Sequence, residues 1–202
     1  MAGFAPLSPE DKETLLRLSR QTLTDYLTKG DLPPRNTDSP ALLEHRASFV
    51  TLRRRDSGEL RGCRGEVVAR QPLIESVAHM TVSSAVDDPR FPPVTAEETP
   101  DIHIEINALT PLAPILPDEI EVGRHGLMII AKGSSGLLLP EVPVRYQWDR
   151  DQFLAALCRK AGLPEDTWRA EDAVLYGFEC EIWGESPPPP IPSEVPQGPR
   201  HG

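Results

Sequence analysis

The sequence predicts an α+β fold, in which a mainly antiparallel sheet is flanked by helices. Segments with the 3.6-residue period of an amphipathic helix are mixed with segments rich in β-branched residues. Two of the β-branched segments are followed by a glycine-containing turn and a return segment, which indicates hairpins and therefore antiparallel pairing. The chain has 202 residues, of which 39% are hydrophobic, so it is long enough to bury a sizeable core.

Two helices are predicted in the first half of the chain. Ser8 is suited to cap a helix that opens with Pro9, and Gly30 ends this helix. The second helix begins at Gln71-Pro72. It should stop before Asp87-Asp88-Pro89, because a residue that precedes proline avoids the α conformation.

The segment between these helices is predicted to be a hairpin that leads into a glycine-rich turn. Residues 47–53 form a strand, Asp56-Ser57-Gly58 turns the chain, and Leu60 begins the return strand. This strand runs into the turn Arg61-Gly62-Cys63-Arg64-Gly65. Its two glycines indicate a backbone that needs a positive φ or a close approach to a neighbouring group.

The second half of the chain mixes strands with short helices. The predicted elements are, in order, a capped helical turn at 95–98, a strand at 101–109, a hairpin of 127–131 and 137–139, a helix at 150–160 capped by Asp149 and Gln152, and a last strand at 174–183. The strand at 101–109 alternates strictly. Its isoleucines face one way, and His103, Glu105 and Asn107 form a polar face that we expect to be solvated or to contact a partner.

Composition limits the classes of partner and compartment. The net charge of −10 disfavours nucleic acid and anionic membranes as general partners, because phosphate binding needs concentrated Lys and Arg. No apolar run approaches the roughly 18 residues of a membrane span, and the N-terminal residues do not have the pattern of a secretion signal. The three cysteines are far apart, which favours a reducing compartment, so we expect a cytoplasmic protein.

We expect residues 8–184 to form a single domain and residues 186–202 to form a flexible tail. The tail has seven prolines in 17 residues, and it has too few apolar side chains to offset the entropy of ordering. The alternative role of such a proline-rich segment is that of a ligand for a partner protein.

Cys63 is the first candidate for chemistry. The nucleophilic form of cysteine is the thiolate, which nearby cations stabilise, and Arg61 and Arg64 flank Cys63 directly. One interpretation is therefore an activated thiol beside arginines that bind an anionic substrate. The alternative is a small side chain that packs at a tight turn. Residues 53–55 are three further arginines, which either extend an anion site or form a solvated hairpin end.

His125 and Glu141 are the candidate proton carriers. His125 lies between two glycines, and such a loop can present a side chain to a cleft, where a catalytic cysteine needs a base within hydrogen-bond reach. Glu141 follows Pro140 at the end of the second hairpin and is a candidate acid, base or ligand. For both residues a purely structural role, as a hydrogen-bonding or capping group, is the alternative.

Arg90 lies in a rigid turn between prolines. Its guanidinium either binds a carboxylate or another anion, or pairs with Asp87 or Asp88 and locks the turn. We expect Phe91, the next residue, to fill the core.

Motifs for common cofactors are missing from the sequence. His103 and Glu105 match the H-x-E pair of zinc deaminases, but no P-C-x-x-C follows, so we predict no metal site there. The sequence also contains no P-loop, no G-x-G-x-x-G and no G-x-S-x-G. The cofactor, if the protein uses one, is unknown from sequence.

Several spaced segments together resemble one family. In chain order these are Phe49-Val50-Thr51-Leu52, Leu60-Arg61-Gly62-Cys63-x-Gly65, Asp88-x-Arg90-Phe91-x-Pro93, Gly123-x-His125-Gly126-Leu127, Gly136-Leu137-Leu138-Leu139-Pro140-x-Val142, Trp148, Cys158-x-Lys160-Ala161-Gly162-Leu163 and Leu175-Tyr176-x-Phe178. They are similar to the AMMECR-type domain family, whose bacterial and archaeal members are known as protein A of the AmmeMemoRadiSam system. The resemblance covers about residues 8–184.

The resemblance implies a fold of two subdomains with a cleft between a larger and a smaller part. It also implies two companions, a Memo-type protein and a radical S-adenosylmethionine (SAM) protein. It implies no particular reaction. A cysteine-dependent enzyme that acts on a small anionic or modified substrate and a non-catalytic binding module both stay open, as does a homodimer.

One position departs from the pattern of this family. The residue after the cysteine is usually aliphatic, whereas here it is Arg64. We therefore expect this segment to shift or to direct Arg64 into solvent. The additional positive charge favours an anion-binding role.

Overall fold

The computed structural model describes residues 6–188 and confirms the α+β prediction. Its elements, in chain order, are α1 (Pro9–Lys29), α2 (Pro40–Leu43), β1 (Ser48–Arg54), β2 (Leu60–Gly65), α3 (Leu73–Val86), a 3-10 helix (Ala96–Asp101), β3 (Ile102–Leu109), β4 (Ala113–Pro114), a 3-10 helix (Pro117–Glu119), β5 (Gly126–Ala131), β6 (Ser134–Leu138), α4 (Glu141–Arg145), α5 (Arg150–Lys160), a 3-10 helix (Thr167–Arg169), β7 (Val174–Phe178) and β8 (Cys180–Gly184).

The described chain divides into two compact units. Residues 7–107 and 182–188 form one unit, and residues 108–181 form the other. Each unit is built around one four-stranded sheet, in the order β2-β1-β3-β8 for the first and β4-β7-β5-β6 for the second. The cleft predicted between the two parts stays a prediction. The predicted tail falls mostly on residues 189–202, which lie outside the described residues.

In the first unit, α3 packs on β1 and β2, and α1 packs on α3. Fully buried aliphatic side chains fill this interface, among them Leu15, Leu23, Val50, Leu52, Leu73, Val77, Ile102, Ile104 and Ile106. In the second unit α5 packs on β5 and β6, and its side chains Phe153, Leu154 and Leu157 meet Leu127 and Ile129 in one core cluster. None of the helices between residues 6 and 188 combines the length and apolar character that crossing a bilayer requires.

The helix ends lie where local sequence places them. Ser8 caps α1: its hydroxyl accepts the Asp11 N–H at 3.1 Å, and the Asp11 carboxylate accepts the Ser8 N–H in return. Gly30 ends α1 in the left-handed conformation at φ 75°, which glycine adopts without steric cost. Asp149 and Gln152 form the predicted capping box of α5.

The predicted turn at residues 61–65 is wrong, because these residues continue strand β2. They pair antiparallel with β1, with Thr51 opposite Cys63 and Phe49 opposite Gly65. Neither Gly62 nor Gly65 has a positive φ. The close approach, the other predicted reason for the glycines, is confirmed: a Cβ on Gly62 would overlap the Ser84 carbonyl oxygen of α3, and one on Gly65 would overlap the Phe49 ring.

The predicted last strand at 174–183 is two strands that belong to different sheets. β7 pairs with β4 and β5, the chain breaks its pairing at Glu179, and β8 then joins the other sheet beside β3. Phe178, Cys180 and Ile182 alternate with Glu179 and Glu181 through this junction, so periodicity gives no sign of the change of sheet.

Two of the three residues on the polar face of β3 are buried, contrary to the prediction that this face is solvated or contacts a partner, and the third, Glu105, is half-buried. Only 3% of His103 and 7% of Asn107 are exposed, because β3 lies inside the sheet between β1 and β8. The His103 Nε2–H donates to the Glu185 carbonyl oxygen at 2.8 Å, just past the end of β8. Gly184 of β8 packs on the same ring. This face is therefore not available to a partner through His103 and Asn107.

We predict that Gly62→Ala lowers the free energy of unfolding by about 1 to 3 kcal/mol, because the new methyl group meets backbone of α3 that cannot rotate away. Urea denaturation measures the change. Arg64→Ala, at an exposed position of the same strand, serves as the control and should stay within about 0.5 kcal/mol of the wild type. Equal stability of the Gly62→Ala variant and the wild type would contradict the close approach.

Candidate functional site

Cys63 lies on β2, the edge strand of its sheet, and is half-buried. Thr51 is directly opposite on β1, and its hydroxyl donates to the Cys63 Sγ at 3.4 Å. Because side chains alternate along a strand, Cys63 and Thr51 share one face of the sheet, while Val50 and Leu52 are fully buried on the other. The sulfur is therefore on the face away from the helix-covered core.

A single buried carboxylate, that of Asp88, holds Cys63 and Arg90 together. Asp88 Oδ2 accepts the Cys63 backbone N–H at 2.8 Å and the Arg90 Nη2 at 2.7 Å. Asp88 Oδ1 accepts the Arg90 Nε at 2.9 Å and the Arg90 backbone N–H at 3.1 Å. The bond from the Arg90 backbone N–H to the Asp88 side chain closes a local turn of the kind that aspartate favours. Pro89, which lies between the two residues, fixes its own φ angle in this turn.

These contacts keep both members of the pair charged. The hydrogen bonds from the Arg90 side chain hold the pKa of Asp88 well below its usual range, against the opposing effect of burial, and the backbone N–H groups of Cys63 and Arg90 lower it further. The Asp88 carboxylate in turn raises the pKa of Arg90, and the neighbouring Cys63 adds a smaller contribution in the same direction.

The Arg90 guanidinium is fixed but open on one side. Its side chain is 55% exposed, whereas that of Asp88 is only 3% exposed. The guanidinium carbon lies 5.4 Å from the centre of the Phe91 ring, a cation–π contact. Phe91 is half-buried and supports Arg90, so the prediction that Phe91 fills the core is wrong.

Arg61 has a different environment from the one predicted. It is 5% exposed, and its guanidinium makes a two-pronged ion pair with Glu98, at 2.8 and 3.0 Å. Its remaining donors reach the carbonyl oxygens of Pro92 and Pro93. Arg61 thus ties β2 to the 92–98 segment, and its role in binding an anion stays a prediction.

Arg64 and the three neighbouring arginines lie at the surface. The side chain of Arg64 is exposed, as expected from its departure from the family pattern, while its backbone N–H donates to the Ser84 hydroxyl at 2.9 Å. Arg54 lies 3.5 Å from the Glu98 carboxylate and Arg55 lies 2.6 Å from that of Glu185. Carboxylates therefore already face two of the three arginines at 53–55.

His125 and Glu141 belong to the other unit, residues 108–181. His125 is 3% exposed and its Nδ1 accepts the Glu121 backbone N–H at 3.1 Å, which places the ring proton on Nε2. Within residues 6–188, no acceptor lies in reach of that Nε2. Glu141 is exposed at the first position of α4. The role of either residue as a proton carrier for Cys63 stays a prediction.

Of the other two thiols, only Cys158 differs from Cys63 in burial. Cys158 lies on α5 and is fully buried in the core, and burial raises the pKa of its thiol. Cys180 is half-buried on β8. Across residues 6–188, no three or more His, Cys, Asp and Glu side chains are grouped in a way that could hold a metal ion.

Two members of the site were not singled out as functional from sequence. From sequence, Asp88 is only one of two aspartates that could pair with Arg90, and Thr51 is only part of a predicted strand. The Asp-Pro-Arg sequence carries a signal for Asp88, because aspartate before proline commonly accepts the backbone N–H two residues on. Thr51 could be recognised as a member of the site only once the β1–β2 register, which places it opposite Cys63, was known.

Comparison with known proteins gives one consistent family. A sequence model described as AMMECR1 matches residues 16–183. Protein PH0010 of Pyrococcus horikoshii is 42% identical over 197 residues, which are 93% of this chain and 92% of that protein. Protein MK0488 of Methanopyrus kandleri is 40% identical over 90% of this chain and 92% of that protein. The crystal structure of the uncharacterized protein PH0010 is similar, with a TM-score of 0.76 and 43% identity over 87% of this chain and 92% of that chain.

We predict that Asp88→Asn lowers the free energy of unfolding at pH 7 by about 2 kcal/mol, since it removes charge-assisted hydrogen bonds from a buried acceptor. The folded-state pKa of Asp88 is depressed, so its contribution is present above the ordinary aspartate pKa of about 4 and is lost as the pH falls further. Urea denaturation at pH 7 and at lower pH should therefore show that the difference in the free energy of unfolding between wild type and variant becomes smaller in acid.

Asp87→Asn is the matched control, because Asp87 is the exposed neighbour of Asp88 on the same turn. It should change the free energy of unfolding by less than about 0.5 kcal/mol at either pH. A constant gap between wild type and Asp88→Asn from neutral to acidic pH would contradict the assigned ionisation of Asp88.

Proposed function

Because the chain belongs to the AMMECR1 family, we propose that it carries a cysteine-dependent site at which Cys63 reacts with a small anionic molecule held by Arg90. The observation that carries this proposal is the shared Asp88 carboxylate, which fixes the backbone of Cys63 and the guanidinium of Arg90 through one oxygen atom. Cysteines act as nucleophiles where the thiol is accessible and a cation lies nearby, and Cys63 is half-exposed at a strand position that shares Asp88 with Arg90.

Partial exposure of Cys63 supports chemistry over simple packing. A cysteine needed only to fill space is expected to be buried, as Cys158 is. The strand geometry is consistent with the same conclusion, since Gly62 and Gly65 already provide the close approaches to α3 and Phe49 without any requirement for a thiol between them.

We further propose that the chain acts in the cytoplasm as a component of a system with a Memo-type protein and a radical SAM protein. The support for this part is the family resemblance of the motifs between residues 49 and 178. In such a system the companions would supply chemistry that a thiol and an arginine cannot, and this chain would supply the anion-binding thiol.

A non-catalytic binding module is the second candidate function. An exposed apolar patch around the end of α4 favours it: Val144 is 57% exposed, Tyr146 is 53% exposed, and the Tyr146 ring stacks on Trp148 at 5.0 Å. Aromatic side chains of this kind are enriched where proteins bind each other. This patch replaces the polar face of β3 as the candidate contact surface.

We predict that iodoacetamide modifies Cys63 in the folded protein roughly tenfold faster than Cys180, and Cys158 only after unfolding. The adjacent Arg90 accelerates the reaction at Cys63, whereas burial protects Cys158. Peptide mass spectrometry of time points gives the three rates, with the Cys63→Ser variant as the control for assignment. A Cys63 rate no greater than that of Cys158 would refute the reactive-thiol proposal.

We predict that the tagged wild-type protein, purified from native cells, retains a Memo-type and a radical SAM protein. If the patch at α4 makes the contact, Tyr146→Ser should lose these companions and Cys63→Ala should keep them, because Cys63 lies in the other unit. Quantitative mass spectrometry of the eluates measures this. Wild-type eluates without either companion would count against the proposed system.

A further inference from the structure

Arg90 has one donor edge that its partner does not use. A guanidinium offers one edge formed by Nε and one Nη, and another formed by the two Nη groups. Asp88 occupies the first edge, with Oδ1 on Nε at 2.9 Å and Oδ2 on Nη2 at 2.7 Å. Within residues 6–188, Nη1 has no acceptor, so the edge formed by Nη1 and Nη2 is left to solvent.

This edge is held in place before any ligand arrives. The almost fully buried Asp88 carboxylate binds one edge of the guanidinium. The centre of the Phe91 ring lies 5.4 Å from the guanidinium carbon of Arg90. A guanidinium that is already held in place loses little conformational entropy when it binds a second partner, whereas a mobile surface arginine would lose much more. The position of the open edge is therefore set by the protein.

The open edge also lies beside the strand position that carries the thiol, because the Cys63 backbone N–H and the Arg90 Nη2 both donate to Asp88 Oδ2. The other arginine next to this strand position that points inward, Arg61, has its donors on Glu98, Pro92 and Pro93. Arg64 is exposed, and no carboxylate among the described residues holds its side chain, so Arg90 is the arginine at this site whose open donors are also held in place.

We infer that the ligand of this site carries a carboxylate, which binds the Nη1–Nη2 edge of Arg90 and places its adjacent carbon beside the Cys63 sulfur. This inference rests on the proposed function. A carboxylate matches the edge because it is planar and accepts two parallel N–H bonds. Its single charge also suits a guanidinium whose positive charge is already opposed by Asp88.

A pair of alkylating reagents tests the inference directly. Iodoacetate and iodoacetamide react with a thiolate in the same way: the sulfur forms a bond to carbon and iodide leaves with the bonding electrons. They differ in that only iodoacetate carries a carboxylate. The ratio of the two rates at one cysteine cancels any difference in thiolate fraction, so it reports how the surroundings of that cysteine receive the negatively charged carboxylate. The Arg90→Lys variant then separates the fork geometry from the charge.

At Cys63 of the wild-type protein, the ratio of the iodoacetate rate to the iodoacetamide rate should exceed that at Cys180 by roughly fivefold, and the Cys63 rate should saturate with iodoacetate. Arg90→Gln should bring the ratio at Cys63 down to that of Cys180. Arg90→Lys, which keeps the charge but not the fork, should retain only part of the preference.

Three outcomes separate the inference from the function on which it rests. If neither reagent modifies Cys63 faster than Cys158, the proposed reactive thiol is overturned. If both reagents modify Cys63 quickly but with the ratio seen at Cys180, the thiol stands and the carboxylate ligand is overturned. Competition at constant ionic strength needs no variant: acetate should slow iodoacetate at Cys63 more than phosphate does, and the reverse order would overturn the choice of carboxylate.

Discussion

The candidate site depends on one buried carboxylate, that of Asp88, at the point where α3 ends beside the edge of β2. Its two oxygen atoms accept four N–H groups, one from Cys63 and three from Arg90. A buried anion is costly unless donors surround it, so each of these groups is held in place by the need to satisfy the carboxylate. The backbone of Cys63 and the guanidinium of Arg90 are neighbours because they share this acceptor.

The scaffold that delivers Asp88 to β2 is a close contact between a helix and a strand. α3 lies so near β2 that position 62 has no room for a side chain. In the same contact the Ser84 hydroxyl accepts the Arg64 N–H and donates to the Val50 carbonyl oxygen, which links the helix to both strands of the hairpin. The ion pair of Arg61 with Glu98 secures the opposite end of β2. Cys63 therefore lies on a strand that is fixed on both sides.

Much of the fold was predictable because its signals are local. Ser8, Gly30 and Asp149 define helix ends through contacts with residues at most four positions away, and hydrophobic periodicity identifies α1, α3 and α5. The glycines around Cys63 were misinterpreted as a turn, because the atoms that exclude a side chain there come from Ser84 and Phe49 and not from the neighbouring residues.

Burial and pairing across the sheet were the parts that sequence could not supply. The alternation of β3 was visible, but β8 returns some 80 positions later to cover His103 through Glu185. The candidate residues Cys63 and Arg90 could be chosen by chemical type, since a thiol among cations and an arginine in a rigid turn are recognisable. Their shared acceptor, Asp88, could not be identified from sequence, and neither could the ion pair of Arg61 with Glu98. Both depend on which segments of the chain meet in the fold.

Hydrogen exchange of the Cys63 amide, followed by NMR, tests whether Asp88 holds the backbone of Cys63. In the wild-type protein this amide should exchange slowly, because its N–H donates to a buried carboxylate. In Asp88→Ala it should exchange at least about tenfold faster, while the amide of Val77, in the middle of α3, keeps its rate. A Cys63 amide that exchanges rapidly in the wild type, or that stays protected in Asp88→Ala, would show that Asp88 does not hold the Cys63 backbone.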